Sequence, residues 1–254
     1  MKKIFLVLVI IAVACIFIAH KNSNPKGILS DLIRKGIPAT AGDLSYRIYL
    51  FGVFPVGKAV LKQAKIEEYD GQKVYHLAAA AQTSKVFSWL FSGSAVLDSY
   101  VDMKEFDPLL FKQKILISGK PEVTQDVIYD QNNHMTIING VKRQIFPNTQ
   151  DPLSTVFNIR RMDLDKTKEF EMSISTKHRN YILRSSVSRQ SLSIDNKPYN
   201  IIFTKANIKR RGKSPYHQSN ITMTLLKAKE NIPILIKVFS GGFFLIARLT
   251  NIAR

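Results

Sequence analysis

From Asp43 onward, hydrophobic and polar residues alternate with a period of two, broken at intervals by turn dipeptides. Ile221, Met223 and Leu225 alternate with Thr222 and Thr224, and Ile234, Ile236 and Val238 form a second row with Lys237 on the opposite side. Successive side chains of a strand point to opposite faces, so each row predicts a strand with one buried and one wet face. Asp70-Gly71 and Asn139-Gly140 lie between alternating segments and supply the positive φ angles of a type I′ turn, so each predicts an antiparallel hairpin. Two segments leave the period. In Ser84 to Phe91, Val86, Phe87, Leu90 and Phe91 cluster at helical spacing behind Ser84 as N-cap. At Asp151-Pro152 a capping carboxylate precedes a proline suited to the first helical position, and Leu153, Val156, Phe157 and Ile159 form the core stripe of a second helix. The expected fold class is mainly β: an antiparallel curved sheet or open half-barrel with two short helices packed on or in it, plus an N-terminal hydrophobic helix.

The first 42 residues read differently. Lys2 and Lys3 precede the uncharged run Ile4 to Ala19, the pattern of a signal peptide or signal anchor. The run is shorter than the roughly 20 residues that span a bilayer comfortably. Ala12-Val13-Ala14 offers a small-x-small cleavage site. Val13-Ala14-Cys15 also reads as a loose lipobox, in which the Cys15 thiol would be lipidated, although Ile16-Phe17-Ile18 continues the apolar run where a processed lipoprotein turns polar. Anchoring, cleavage and lipidation stay open, in that order. Cys15 is the only cysteine, so the rest of the chain has no disulfide, Cys-based metal site or thiol nucleophile. Residues 20–42 are rich in turn formers and read as a linker or neck, with Ile28 to Ile33 supplying one helical turn before Gly36 and Pro38 stop it. Residues 43–254 then form a single β domain. Export places the protein in the periplasm, anchored to or associated with the inner membrane.

The formal net charge of +18 at pH 7 would suggest nucleic acid as a partner in the cytoplasm. For an exported chain it predicts association with an anionic membrane surface and no nucleic acid. The densest basic stretch, Lys205, Lys209, Arg210, Arg211 and Lys213, is either a solvated hairpin tip or a contact for lipid phosphates. The common catalytic signatures are missing: no G-x-S-x-G, no H-E-x-x-H, no phosphate-cradling loop and no dinucleotide fingerprint. His20, His76, His134, His178 and His217 lack paired ligand spacing, so no metal or cofactor is expected. Carboxylates gather at Asp98, Asp102, Glu105 and Asp107, and again at Asp163, Asp165, Glu169 and Glu171. The second group lacks the glycine of a calcium loop. The first would serve a glycan hydrolase only if its members converged across a cleft at about 5 to 10 Å. The expectation is a protein that is not an enzyme. The stripe of Val86, Phe87, Trp89, Leu90 and Phe91 is either core or the mouth of a ligand cavity.

Several segments together resemble a bacterial family of exported proteins, domain of unknown function family 3108. Asp43-Leu44-Ser45-Tyr46 resembles its opening strand, and Val56-Gly57-Lys58-Ala59 its V-G-x-A turn. Asp102, Pro108 and Phe111 resemble its D-x-x-x-x-x-P-x-x-F segment. The most specific likeness is Gln150 to Arg160, which is similar to a Q-D-P-L-S-x-x-Y-x-x-R helix, with Phe157 at the tyrosine position. Pro233, Gly241 or Gly242, and Leu249 resemble the closing strands. The resemblance implies an antiparallel half-barrel similar to periplasmic lipoprotein carriers of the LolA and LolB type, whose concave apolar face takes up acyl chains, and it implies no catalytic residues. Arg160 is then either a structural ion-pair partner or a contact for a ligand head group. The resulting expectation is a non-enzymatic envelope protein holding a membrane lipid, lipoprotein acyl chain or other amphiphile in a concave apolar face. The alternative is a module with a filled core that binds an envelope protein or wall polymer.

Overall fold

The computed structural model describes residues 23–36, 42–85, 92–176, 179–212 and 218–253. Helix α1 (Pro25–Arg34) is followed by β1 (Leu44–Leu50), β2 (Phe54–Leu61), β3 (Lys65–Tyr69), β4 (Gln72–Thr83), β5 (Gly93–Asp102), β6 (Pro108–Ile117), β7 (Val123–Asp130), β8 (Met135–Ile138) and β9 (Val141–Gln144). Helix α2 (Pro152–Arg161) separates these from β10 (Glu169–Thr176), β11 (Arg179–Ile194), β12 (Lys197–Arg210), β13 (Gln218–Leu226), β14 (Ile232–Ser240) and β15 (Phe243–Ile252).

All the strands join one sheet, in the order β10-β11-β12-β13-β14-β15-β1-β2-β4-β5-β6-β7-β8-β9, with β3 hydrogen-bonded to β4 off that path. Every strand pair is antiparallel, and the first and last strands meet inside the sheet, Leu44 opposite Ile252. The fold is therefore mainly β and open, with two helices among the described residues. Asp70-Gly71 and Asn139-Gly140 both have positive φ at hairpin turns, as their sequence required.

The two edges, β9 and β10, lie close together. Gln150, in the segment between β9 and α2, donates its N–H to the Ser173 carbonyl at 2.8 Å and accepts from the Ser175 N–H at 2.9 Å. Two further contacts cross the gap: Tyr129 of β7 donates to the Ser175 carbonyl, and Asn180 of β11 donates to the Gln144 carbonyl, each at 2.9 Å. Sheet edges left open are templates for unwanted pairing, and here the segment leading into α2 covers part of one.

The main core cluster unites both helices with the sheet. Ile28, Leu29 and Leu32 of α1 pack with Leu44, Tyr46, Ile201, Ile246 and Leu249, and Leu153 and Phe157 of α2 join the same cluster. A second cluster centres on Ile159, Leu164, Ile202, Met223 and Leu225. Adjacent Ile201 and Ile202 fall in different clusters, so β12 is covered on both faces there. The same holds for β14, buried at four successive positions from Ile232 to Leu235.

One expectation needs correcting here. The stretch read as a neck with a single helical turn contains the ten-residue helix α1, begun by the Asn24 side chain accepting from the Lys26 N–H and by Pro25. Its apolar residues fall at helical spacing and are buried, so the helix belongs to the core. No described helix is long and apolar enough to cross a membrane.

Candidate functional site

The most distinctive sequence motif, Gln150 to Arg160, has its polar groups engaged within the fold. The Gln150 side chain donates to Asp107 Oδ1 at 2.7 Å and accepts from Asn158 at 2.8 Å. Asp151, fully buried, caps α2 by accepting from the Leu153 and Ser154 amides at 2.7 and 2.9 Å. Its other oxygen accepts from Ser99 of β5 at 2.6 Å. Burial pushes this carboxyl up, against the lowering pull of the Ser99 hydroxyl and of the donors from the first turn of α2.

Arg160 is 2% exposed. It pairs with Glu230 at 3.0 Å, donates to the Asn231 carbonyl and lies over the Phe157 ring at 5.0 Å. Burial lowers its pKa while Glu230 and Tyr46 oppose the shift. Buried charge is stable only when paired and hydrogen-bonded, and this geometry meets that need without a ligand.

Of the carboxylates, Asp98 and Asp102 stand four residues apart on β5, about 13 Å at strand rise, too far for a hydrolytic pair. Asp98 meets His76 Nε2 at 2.9 Å, while His76 Nδ1 meets Glu67 at 2.9 Å. The His76 ring stacks on Tyr100 at 4.6 Å, and the group ties β3, β4 and β5 together. Asp102 accepts from the backbone N–H groups of Lys104, Glu105 and Asp107, shaping the β5–β6 turn. Asp107 is half-buried, and desolvation, with Asp102 and Glu105 nearby, raises its pKa to about 6 against the hydrogen bond from Gln150. Two open depressions, of about 330 and 490 Å³, share Glu105 and Asp107. No group of three His, Cys, Asp or Glu side chains among the described residues is disposed to hold a metal.

The aromatic segment Val86, Phe87, Trp89, Leu90 and Phe91 lies outside the described residues, as do Cys15, Lys213, His20, His178 and His217. An open, mainly apolar groove of about 330 Å³ crosses β2, β4 and β5. Val60, Ala80 and Val96 are register partners across its floor, as are Lys58, Gln82 and Ser94 at one end, while Ala59, Ala81 and Ala95 between them turn their side chains to the opposite face of the sheet. Sequence reasoning passed over this groove, although the run Ala78 to Ala81 in a strand was a signal. Alanine is a poor strand former, and four in succession mark a place where side chains are kept small.

The basic stretch does not act as one unit. Lys205 and Lys209 are exposed on β12, whereas Arg211 is partly buried, lies over the Phe146 ring at 4.0 Å and donates to Ser173. Arg210 is partly exposed at the end of the strand.

Among solved structures, a beta-barrel-like protein of domain of unknown function DUF1849 from Brucella abortus is similar, with a TM-score of 0.55 and 11% identity over 84% of this chain and 97% of that one. At that identity the likeness concerns the fold alone. A protein from Bacteroides fragilis described as putative, exported and of YmcC-like fold is also matched, at a TM-score of 0.29 and 7% identity, over 86% of this chain and 98% of that one. Neither is described as a lipoprotein carrier. No curated protein matches the sequence. The description "Protein of unknown function (DUF3108)" matches residues 45–242, and these span the opening strand, the Gln150 to Arg160 helix and most of the closing strands, so the chain belongs to the DUF3108 family.

Proposed function

We propose that this is a non-enzymatic cell-envelope protein, exported to the periplasm and held near the inner membrane, that binds an amphiphile through an open apolar groove. The observation that supports this is the groove over Val60, Ala80 and Val96. Its volume of about 330 Å³ falls at the lower end of the roughly 300–1,000 Å³ of ligand sites. Its floor is apolar, and Lys58, Gln82 and Ser94 line one end, a pairing suited to an acyl chain with an anionic head.

The full chain, exported to a bacterial periplasm and purified without detergent, tests this by mass spectrometry of its organic extract against an unrelated exported control. A stoichiometric amphiphile, lost on Ala80→Leu with the fold intact, is the expected result. An empty protein that also takes up no fluorescent fatty acid rejects the reading.

A second reading, a module that recognises an envelope protein or wall polymer, is favoured by the packing. Both helices contribute to the main core cluster, so the sheet's apolar surface is largely filled by the chain's own side chains.

A further inference from the structure

We infer that the rim carrying the β1–β2 and β14–β15 turns is a bilayer-docking edge, whose aromatic tips enter the acyl boundary of an anionic phospholipid membrane. This rests on the membrane association proposed above and names the surface responsible.

The apolar residues come first. Phe51 and Phe54 flank the β1–β2 turn, Phe239 and Phe243 flank the β14–β15 turn, and they are 48%, 45%, 49% and 61% exposed. The two hairpins are neighbours, joined by the Phe51 N–H donating to the Phe244 carbonyl at 2.7 Å, with Phe239 opposite Phe244 and Leu50 opposite Leu245. Leu116 and Val123, at the β6–β7 turn of the same rim, are 48% and 50% exposed. Single exposed hydrophobic residues are ordinary, but a cluster along one edge marks an interaction surface.

The backbone of Phe51 points the same way. Its φ is +51 and Gly52 follows at +74, with the Val53 N–H donating to the Leu50 carbonyl. The other hairpins with successive positive φ use Asp70-Gly71, Asn139-Gly140, Asp195-Asn196 and Gly241-Gly242. Left-handed backbone suits those residues and disfavours a bulky aromatic. A local rule broken at an exposed tip is the kind of conflict found at functional positions.

Charge selects the partner. Arg47 and Lys58, both exposed, sit directly opposite each other on β1 and β2, with Arg248 next in the row on β15. Arg248 has Asp31 as partner, but no carboxylate among the described residues pairs with Arg47 or Lys58. Like charges facing each other across a ladder are unfavourable unless something anionic arrives. Each lies four residues behind its tip, Arg47 behind Phe51 and Lys58 behind Phe54, about 13 Å at strand rise. That separation puts the cations at phosphate level when the rings reach the acyl boundary. Among the described residues of the turns at this rim, Glu122 is the one carboxylate, and Lys114 pairs with it at 3.0 Å. A wall polymer would supply the anionic charge but no seat for the rings.

The test uses the full chain in a Trp89→Phe background, with a single tryptophan introduced by Phe243→Trp at the rim or by Ile66→Trp on β3 as control. Vesicles of phosphatidylcholine and phosphatidylglycerol with brominated acyl chains should quench the Phe243→Trp reporter strongly and the Ile66→Trp control weakly. This comparison stays valid even if residues 4–19 insert into the bilayer, because it asks which end of the sheet meets the lipid. Arg47→Gln and Lys58→Gln should each weaken binding by about fivefold. Phe51→Asn should reduce quenching while the protein melts no lower than its parent, which excludes misfolding as the cause. Equal quenching at both positions, or quenching unchanged when phosphatidylglycerol is omitted, overturns the inference. An empty organic extract with a quenched rim reporter rejects the amphiphile groove and leaves docking standing. A lipid-loaded protein with an unquenched reporter does the reverse.

Discussion

Phe51 and Asp107 are both held in settings that their chemistry disfavours. A non-glycine residue in the left-handed region costs about 1 kcal/mol, so Phe51→Asn should stabilise the protein by up to about that amount, read as a higher urea midpoint. Asp107 has a folded pKa of about 6, above the ordinary aspartate value of 3.8, chiefly because it is desolvated. Between those two values the folded state binds more protons than the unfolded chain, so this group's contribution is fully present below pH 4 and is lost as pH rises through 6. Asp107→Asn retains an acceptor for Gln150 and removes the charge. It should raise stability at pH 7.5 by about 1 kcal/mol, a figure discounted because the group is only half-buried. It should also flatten the stability profile between pH 4 and 6 in urea titrations at several pH values. An unchanged profile would show that burial does not raise the Asp107 pKa on folding.

Among the elements, α2 and the segment before it connect distant parts of the sheet. Gln150 bridges β10 through its backbone, Asp151 reaches Ser99 on β5, and Arg160 reaches the β13–β14 loop through Glu230 and Asn231. Asp151→Ala removes an N-cap worth about 1 kcal/mol and leaves the Ser99 hydroxyl buried without its partner, so the expected loss is about 2–4 kcal/mol in urea unfolding. Ser99→Ala removes only one donor and should cost less than half as much. Equal losses would place the energy in the Ser99 bond and leave little for the cap. The motif that most clearly carries the family likeness thus closes the sheet, and nothing in its hydrogen bonding requires a ligand.

For the molecule as a whole, α1 sets where the folding unit begins. Burying Ile28, Leu29 and Leu32 contributes about 4.5–9 kcal/mol at roughly 1.5–3 kcal/mol per side chain, as an upper bound. That is comparable with the 5–15 kcal/mol net stability of a typical domain. A chain beginning at residue 43 should therefore fail to give a cooperative thermal transition, whereas one beginning at residue 23 should melt close to the full chain. A sharp transition in the shorter chain would show that the sheet closes without the helix.

The strands β13 and β14, the hairpins at Asp70-Gly71 and Asn139-Gly140, and the cap and apolar stripe of α2 could all be read from sequence, because period, turn chemistry and capping act over a few residues, but the wet face expected of those two strands is covered from Met223 to Leu226 and from Ile232 to Leu235. The same locality explains the underestimate of α1: Gly36 and Pro38 correctly stop a helix, but only its packing on Leu44, Ile246 and Leu249 shows that ten residues are worth ordering. Strand order, which sets Leu44 opposite Ile252, the seam at Gln150, and the pairing of Arg160 with Glu230, 70 positions apart, join residues distant in sequence, and no local pattern encodes such a meeting. The candidate surfaces divide in the same way. The overall positive charge is a property of composition, but the aromatic edge and the facing cations Arg47 and Lys58 exist only because β14, β15, β1 and β2 lie side by side. The sheet register brings them together.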